Sequence, residues 1–177
     1  MSRAPVPGRL FLVRHAHAVT AEEHALRPLS ERGRADLRRL SAFLAASETF
    51  RPAQYWHSPL VRAAQTAQLL AAALDPEALL VETDGLRPED SPDAMAGRLA
   101  NYPMAHSIAL VGHEPHLSAL ATLLVRGKDK PAAFVLRKAA IVALQRTEDC
   151  HKRDGRPRWQ VRWHLSPELL PGATTLG

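Results

Sequence analysis

Four times along the chain, a short apolar run is followed by a longer stretch with helical spacing, and this alternation restricts the possible folds more than any other feature. The apolar runs are Arg9–Val13, Ala53–His57, Leu79–Glu82 and Ser107–His113. The helical stretches are Ser30–Ser47, Ser58–Leu74, Ser91–Tyr102 and Pro115–Val125. Short apolar runs are typical of strands in a parallel sheet, whose crossover connections are usually helices. The alternation therefore predicts an α/β protein.

The helical stretches also carry signals for where helices begin and which face they bury. Ser30 and Ser58 are candidate N-caps, and Pro59 suits the first helical position after Ser58. In the first stretch, four residues at helical spacing predict the buried face: Leu37, Leu40, Phe43 and Leu44.

The C-terminal part of the chain has a different pattern. Two apolar stretches, Lys138–Arg146 and Arg158–Leu165, flank a polar loop that contains Asp154-Gly155. In the second stretch Trp and aliphatic residues alternate with polar ones, which predicts a half-buried strand antiparallel to its neighbour. We therefore expect a three-layer sandwich in which helices flank a mostly parallel central sheet whose last strands are antiparallel. The 177 residues fit one domain, spanning 1–177.

The composition restricts the expected cellular location and binding partners of the protein. No apolar stretch reaches the roughly 18 residues of a membrane span, and prolines occupy the place of a signal peptide's apolar centre. We therefore expect a cytoplasmic protein without membrane partners. The single cysteine, Cys150, excludes an intrachain disulfide and a cysteine-based metal site. The net charge of +5 is spread over the chain and aromatic residues make up 5%, which argues against nucleic acid as a partner and favours phosphorylated or acidic ones.

Polar residues follow three of the predicted strands at the point where each strand ends. Arg14-His15 follows the first strand, and Gly112-His113 ends the fourth. The second ends at His57-Ser58, and Arg62 lies in the first turn of the helix that comes next. Ligands of parallel sheets bind beyond the carboxyl ends of the strands, so we expect these residues to meet at one edge of the sheet.

A site built from these residues suits a phosphoryl group. Two guanidinium groups offer forked donors that match phosphate oxygens. Two helix N-termini add backbone N–H groups and positive dipole ends. The nearby positive charges should lower the pKa of an imidazole, which would keep one histidine neutral and nucleophilic near pH 7.

The chain resembles the histidine phosphatase superfamily, with its phosphoglycerate mutase-like fold, and within it the small SixA-type phosphohistidine phosphatases. The residues that carry the resemblance are Leu12–Ala18, Arg27–Gly33, His57–Ala67 and Val111–Ser118, with further fits at Leu136–Leu144 and Trp163–Pro167. The likeness implies one histidine phosphatase domain with its core over residues 9–170.

The resemblance also implies roles for single residues. His15 would be the nucleophile that accepts the phosphoryl group, and Arg14 and Arg62 would clamp the phosphoryl oxygens. His113 would donate to the same group, and Arg27 would lie beside the pocket as a substrate-binding residue. Catalysis would need no metal and no cofactor, and would pass through a phosphohistidine on the enzyme. The substrate would be a phosphorylated protein, such as one with a phosphotransfer domain, or a small phosphoester.

The sequence departs from larger relatives in two respects. The larger relatives carry a carboxylate that protonates an alkoxide leaving group. In this chain Glu82, Asp84 and Glu89 are candidates for that role, and none lies clearly at the matching position. The chain also lacks the long insertions that enclose small substrates. Both departures favour protein phosphohistidine. An imidazole leaves with less protonation assistance than an alkoxide, and an open pocket suits a phosphorylated side chain on another protein.

Two other classes of function stay open at this point. The His15-Ala16-His17 pair, with the histidines of Val111–Ser118, could ligate the metal of a metal-dependent hydrolase, although Arg14 would then lie next to the cation. A module that binds phosphoproteins without hydrolysing them is the other alternative. The remaining histidines near the motifs are expected at the pocket rim or on the surface: His17, His57 and His116.

Overall fold

The structure of the protein is a computed structural model and describes residues 8–47 and 49–172. The elements follow the predicted order, and the helices and strands are β1 (Arg9–Arg14), α1 (Glu31–Ser47), β2 (Gln54–His57), α2 (Val61–Leu74), β3 (Leu79–Glu82), α3 (Pro92–Asn101), β4 (Ile108–Gly112), α4 (His116–Arg126), β5 (Ile141–Cys150) and β6 (Pro157–Leu165). A 3-10 turn, Pro167–Leu169, follows β6.

One six-stranded sheet, with strand order β3-β2-β4-β1-β5-β6, forms the centre of the fold. The first four strands in this order run parallel, and β5 pairs antiparallel with both β1 and β6. Arg14 lies opposite Gly112, and His57 lies opposite Val111. The carboxyl ends of β1, β2 and β4 therefore share one edge of the sheet. Because β5 is reversed, its first residue, Ile141, lies at that same edge, opposite Val13.

The sheet separates two apolar clusters, as the alternating side chains of β1 show. Leu10 and Leu12 belong to the cluster that contains the buried residues of α3 and α4. Phe11 and Val13 belong to the cluster that contains those of α1 and α2. The predicted three-layer α/β sandwich with a mostly parallel sheet is confirmed. Across the described ranges, no helix has both the length and the apolar character that a membrane span requires.

Two details of the helices differ from the expectation. Ser30 does cap α1, since its Oγ accepts the Gly33 N–H at 3.1 Å, but Phe43 is 47% exposed. Phe43 precedes Leu44 by one residue, so it lies about 100° around the helix from the buried Leu44. The second helix begins at Val61, not at Ser58. The Ser58 backbone N–H donates instead to Val111 O at 3.0 Å, which extends the pairing of β2 with β4.

The half-buried antiparallel strand predicted at the C-terminal end is present as β6, but its ladder with β5 contains a bulge. Ala143 pairs with Trp163, whereas the next residue of β5, Leu144, pairs with Val161, so Arg162 is an extra residue in the ladder. Such a bulge reverses the face to which the following side chains point. Trp159 therefore packs into the α3/α4 cluster and Trp163 against the α1/α2 cluster.

Candidate active site

Backbone hydrogen bonds beyond the strand ends bring the predicted residues together. The His15 N–H donates to Gly112 O at 2.9 Å, which continues the parallel pairing of β1 and β4 by one residue. The side chains of His15 and His113 consequently adjoin each other, with ring centroids 4.9 Å apart and planes inclined at 52°. Both rings are buried, with His15 4% and His113 1% exposed.

The tautomer of His15 follows from its hydrogen bond. Nδ1 lies 2.7 Å from the carbonyl oxygen of Ala16. A carbonyl only accepts, so Nδ1 carries the proton and Nε2 keeps its lone pair. Burial, reinforced by the nearby charge of Lys138, lowers the pKa of His15 to about 2. His15 is therefore a neutral imidazole at pH 7, with an unshared electron pair on Nε2.

The second histidine presents a donor that lacks a partner. His113 Nε2 lies 2.9 Å from Ser58 Oγ, and this oxygen also accepts the Leu60 N–H at 3.3 Å. We assign the Ser58 hydroxyl proton to the bond with Nε2, which leaves the His113 proton on Nδ1. Nδ1 is buried without a hydrogen-bond partner among the described residues. Burial, aided by the charge of Arg62, lowers the pKa of His113 to about 3.

The two arginines have free donors. Arg14 Nη1 donates to Leu136 O at 2.7 Å, while its buried Nε has no partner in the described part of the chain. Arg62 is the second residue of α2, and its guanidinium forms no hydrogen bond or ion pair with the residues that the structure describes. Burial lowers the pKa of both groups, yet arginine keeps its charge in proteins. Two forked donors next to His15 suit an anion with several oxygens.

A buried threonine fixes Arg62 relative to His15. Thr66 Oγ1 donates to the Arg62 carbonyl oxygen at 2.7 Å and accepts the Ala16 N–H at 3.1 Å. Thr66 is fully buried, so this bridge is shielded from water. It joins the first turn of α2 to the residue after the nucleophile. No local pattern in the sequence marks Thr66, because its role depends on contact between two distant segments.

Arg27 lies within electrostatic reach of the site. Its positive charge lowers the pKa of both Arg62 and Lys138, although burial contributes more to each shift. Its own Nε donates to Val19 O at 3.2 Å, and its backbone has the left-handed φ of 50°. The structure thus places Arg27 near Arg62 and Lys138, in a backbone conformation that non-glycine residues seldom adopt.

The three candidate acids are exposed, and they differ in their relation to the site. Glu89 is the one whose charge acts on Arg62. Glu82 ends β3, and Asp84 follows it by two residues. A fourth carboxylate, Glu114, acts on Arg14, but its two oxygens accept the N–H and the hydroxyl of Ser118 at the start of α4.

One cation of the site was missed from the sequence. Lys138 lies just before β5, and its charge contributes to lowering the pKa of both His15 and His113. The signal that could have identified it is the direction of β5. A strand antiparallel to β1 begins at the edge where β1 ends, so the residue in front of it reaches the site.

The three histidines expected at the pocket rim or on the surface occupy different places. His17 is half-buried, and its Nδ1 lies 2.8 Å from Ser30 Oγ. His57 and His116 are buried, so their expected position at the rim or surface is wrong. Within residues 8–47 and 49–172, no group of three or more His, Cys, Asp or Glu side chains is placed to hold a metal ion. The described residues thus supply no ligand set for a metal-dependent hydrolase.

Known proteins share this fold and part of this sequence. Residues 10–90 match the family model of the histidine phosphatase superfamily (branch 1). The chain is similar to the protein histidine phosphatase SixA complexed with tungstate, with 24% identity and a TM-score of 0.72 over 90% of this chain and 97% of that one. It is also similar to a SixA from Agrobacterium tumefaciens, at 25% identity and a TM-score of 0.70 over 92% and 99%. The α-ribazole phosphatase from Shigella flexneri has 18% identity and a TM-score of 0.65 over 86% and 95%. No curated protein sequence matches the chain.

Proposed function

We propose that the chain is a phosphatase of the histidine phosphatase superfamily and uses His15 as its nucleophile, because residues 10–90 match the model of that family and the fold is similar to that of SixA. We propose protein phosphohistidine as its substrate. Arg14, Arg62 and His113 bind the transferred phosphoryl group, and Arg27 lies beside it.

The observation that carries the proposal is the state of His15. Its Nδ1–H is committed to Ala16 O, so Nε2 is the only ring atom able to attack. Around it lie unpaired donors on Arg14, Arg62 and His113, and no carboxylate neutralises them by a direct ion pair among the described residues. A nucleophile surrounded by unpaired donors suits a phosphoryl group, whose transfer depends on positioning and on stabilising negative charge.

In the first step, the lone pair of His15 Nε2 forms a bond to phosphorus while the bond from phosphorus to the leaving atom breaks. The electron pair of that bond stays on the leaving group, which takes up a proton. The guanidinium groups of Arg14 and Arg62 and the Nδ1–H of His113 stabilise the phosphoryl oxygens. The Ala16 carbonyl stabilises the positive charge that develops on the His15 ring.

In the second step, water attacks the phosphorus of phosphorylated His15. The bond from phosphorus to Nε2 breaks, and its electron pair returns to Nε2. The water loses a proton to the solvent, and inorganic phosphate departs. His15 regains the neutral form, with its proton still on Nδ1. No step of this scheme uses a metal ion or a cofactor.

Two observations support a phosphohistidine on a protein as the substrate. Both oxygens of Glu114 are engaged by Ser118, and Glu82 and Asp84 are exposed, so none of these three acids is held in place to protonate an alkoxide. Two exposed apolar residues also adjoin site residues along the chain. Leu26, 63% exposed, precedes Arg27, and Val135, 74% exposed, precedes Leu136, whose carbonyl oxygen accepts Arg14 Nη1. They offer contacts to a protein surface around the phosphorylated side chain. The SixA structure is that of a protein histidine phosphatase.

A second candidate function is the hydrolysis of small phosphoesters by the same mechanism. The observation that favours it is Glu89, whose charge acts on Arg62. A carboxyl group near the clamp could supply the proton that an alkoxide needs on departure. The similar α-ribazole phosphatase acts on a substrate of this class.

The proposal is tested by comparing the turnover of a phosphohistidine protein with that of a panel of small phosphoesters. We expect the phosphohistidine protein to have the higher kcat/KM. His15→Ala should abolish turnover while the far-UV circular dichroism stays unchanged. Arg62→Lys should reduce kcat/KM at least tenfold, since lysine cannot form the forked contact.

Control variants and mass spectrometry separate the possible results. His106→Ala, at an exposed position just before the amino end of β4, should retain full activity, because the site lies at the carboxyl ends of the strands. A rapid alkaline denaturing quench during turnover should preserve a phosphoryl group on His15 for mass spectrometry, since the phosphorus–nitrogen bond is labile in acid. A phosphoprotein-binding module would never form this group. Normal turnover by His15→Ala would overturn the mechanism, and a higher kcat/KM for a small phosphoester would overturn the choice of substrate.

A further inference from the structure

The turn before β5 is attached to the carboxyl end of β1 at three points. Leu136 O accepts Arg14 Nη1 at 2.7 Å, and Ala140 O accepts the Arg14 N–H at 3.1 Å. The Ala139 N–H donates to His15 O at 3.2 Å. Lys138 therefore lies within a segment whose backbone is fixed against Arg14 and the nucleophile.

The backbone of this turn is strained at the residue after Lys138. Ala139 has a φ of 58°, in the left-handed region that a β-carbon disfavours. Three non-glycine residues in the described ranges have a positive φ, and two of them, Arg27 and Ala139, lie at this site. Strained conformations persist where surrounding contacts over-determine them, and they cluster at functional sites. The contacts with β1 thus hold Lys138 in place.

The ammonium group of Lys138 is surrounded by other cations and donors. Its side chain is half-buried and forms no ion pair or hydrogen bond with the described residues. Arg14, Arg27 and Arg62 act on its charge, and it acts in turn on His15, His17 and His113. No carboxylate among the described residues offsets this charge directly. An anion bound within such a cluster offsets the repulsion among its positive charges.

We propose that Lys138 is a fifth residue of the phosphoryl site, which binds the anionic oxygens of the substrate together with Arg14 and Arg62. This inference rests on the proposed function, and it adds a substrate-binding residue to it. The ammonium group contributes a mobile point charge with three donors, whereas the arginines contribute fixed forks.

The charge of Lys138 changes within an accessible pH range. Burial, together with the three neighbouring arginines, lowers the pKa of Lys138 to about 8. The group is therefore charged at pH 7 and becomes neutral as the pH rises above 8. The charged and titratable groups that face it are Arg14 and His15 at the end of β1, His17 after it, Arg27 before α1, Arg62 on α2 and His113 after β4. Of these, the arginines stay charged and the histidines stay neutral over this range.

The test measures tungstate binding by titration calorimetry, because tungstate remains a dianion above pH 7 and needs no turnover. At about pH 7 we expect Lys138→Met to weaken binding about tenfold and Lys138→Arg to weaken it less than about threefold. The wild type should lose affinity when the pH is raised to about 9.5, whereas Lys138→Arg should not. Lys152→Met removes an exposed lysine from the β5–β6 connection, at the opposite edge of the sheet, and should match the wild type.

Kinetics and melting temperatures complete the test. For a phosphorylated substrate, Lys138→Met should raise KM more than it lowers kcat, and its melting temperature without tungstate should stay near that of the wild type. Tungstate affinity and KM unchanged in Lys138→Met would overturn the inference. If tungstate binding depends on Lys138 but the wild type hydrolyses no phosphorylated substrate, the proposed function fails and the inference stands.

Discussion

At the scale of single residues, the chemistry of the site depends on backbone carbonyls and hydroxyls that never touch a substrate. The Ala16 carbonyl selects the tautomer of His15. Ser58 Oγ lies 2.9 Å from Nε2 of His113, and Nδ1 of the same ring has no partner in the described part of the chain. Thr66 joins the Arg62 carbonyl to the Ala16 N–H. These groups set the direction of each donor and of the nucleophilic lone pair, which is the preorganisation on which electrostatic catalysis relies.

Thr66→Val tests the importance of this positioning. The substitution keeps the shape of the side chain and removes the bridge between α2 and the segment after His15. We expect kcat/KM to fall about tenfold or more, because small displacements of a clamp residue are costly in catalysis. The free energy of unfolding should fall by about 1–2 kcal/mol. Steady-state kinetics and urea denaturation measure the two effects.

Thr122→Val is the matched control for this variant. Thr122 is equally buried, and its hydroxyl likewise bridges an i−4 carbonyl, that of Ser118, and a loop N–H, that of Ala133. It should lose similar stability with much less effect on kcat/KM. Equal losses of activity in both variants would show that Thr66 acts through general stability.

The residues that could be predicted from the sequence are those that directly follow strands. Arg14, His15 and His113 continue apolar runs, and Arg62 opens a helix, so chain order alone places them at one edge. Thr66 and Lys138 could not be predicted in the same way. Their roles arise from contacts between segments far apart in the sequence, and no local pattern encodes such contacts.

At the scale of elements, the first turn of α1 packs directly on the backbone that follows the nucleophile. A β-carbon added to Gly33 would overlap the carbonyl oxygen of His17. The same turn holds the Ser30 hydroxyl against His17 Nδ1, and the Ser30 N–H donates to His17 O at 3.0 Å. Glycine at this position lets α1 approach closely enough to hold the segment after His15 in place.

Gly33→Ala should therefore disturb both the fold and the site. We expect a loss of about 1–3 kcal/mol in the free energy of unfolding, because helix or loop must move to remove the overlap. The movement should also lower kcat/KM, since His17 lies two residues from the nucleophile. Chemical denaturation and steady-state kinetics measure the two losses.

Gly97→Ala provides the comparison within α3. A β-carbon at Gly97 would meet only the end of the Arg156 side chain, at 3.6 Å. In a helix interior, replacing glycine by alanine usually stabilises by about 0.5–1 kcal/mol. Stability unchanged in Gly33→Ala would contradict the close packing described for α1.

The elements themselves were largely predictable, whereas their ends and faces were less so. The periodicity of the sequence predicts each helix and strand within a few residues. The start of α2 could not be predicted, because Ser58 bonds to His113 and β4 instead of capping the helix. The bulge at Arg162 could not be predicted either, since an extra residue in a ladder leaves the apolar alternation of the sequence intact.

At the scale of the whole molecule, the buried histidines couple the site to the stability of the fold. In the folded protein the pKa of His15 is about 2 and that of His113 about 3, chiefly because both rings are buried. In the unfolded chain, histidine titrates near 6.5. Between about pH 3 and 6.5 the unfolded state therefore binds more protons than the folded state, and stability rises with pH over this window.

We accordingly expect the free energy of unfolding to fall as the pH is lowered from about 6.5 to about 4.5, before most carboxylates titrate. Urea denaturation at several pH values measures this slope. The double variant His15→Ala/His113→Ala should have a shallower slope, because it removes two groups that take up protons on unfolding. His106→Ala, which alters an exposed histidine, should keep the slope of the wild type. An unaltered slope in the double variant would show that other groups govern the acid sensitivity.

The reversed direction of β5 also bears on how such a domain can diversify. Three strand ends carry the reacting groups, whereas the segment that enters β5 reaches the same place from a separate stretch of chain, after α4. Exchanging that connection between relatives, or lengthening it before Leu136, leaves the proposed hydrolytic residues in their own segments and keeps the three hydrogen bonds from residues 136–140 to Arg14 and His15. Exchange of this connection is thus a route by which substrate preference can change while the residues proposed for the chemical step stay the same.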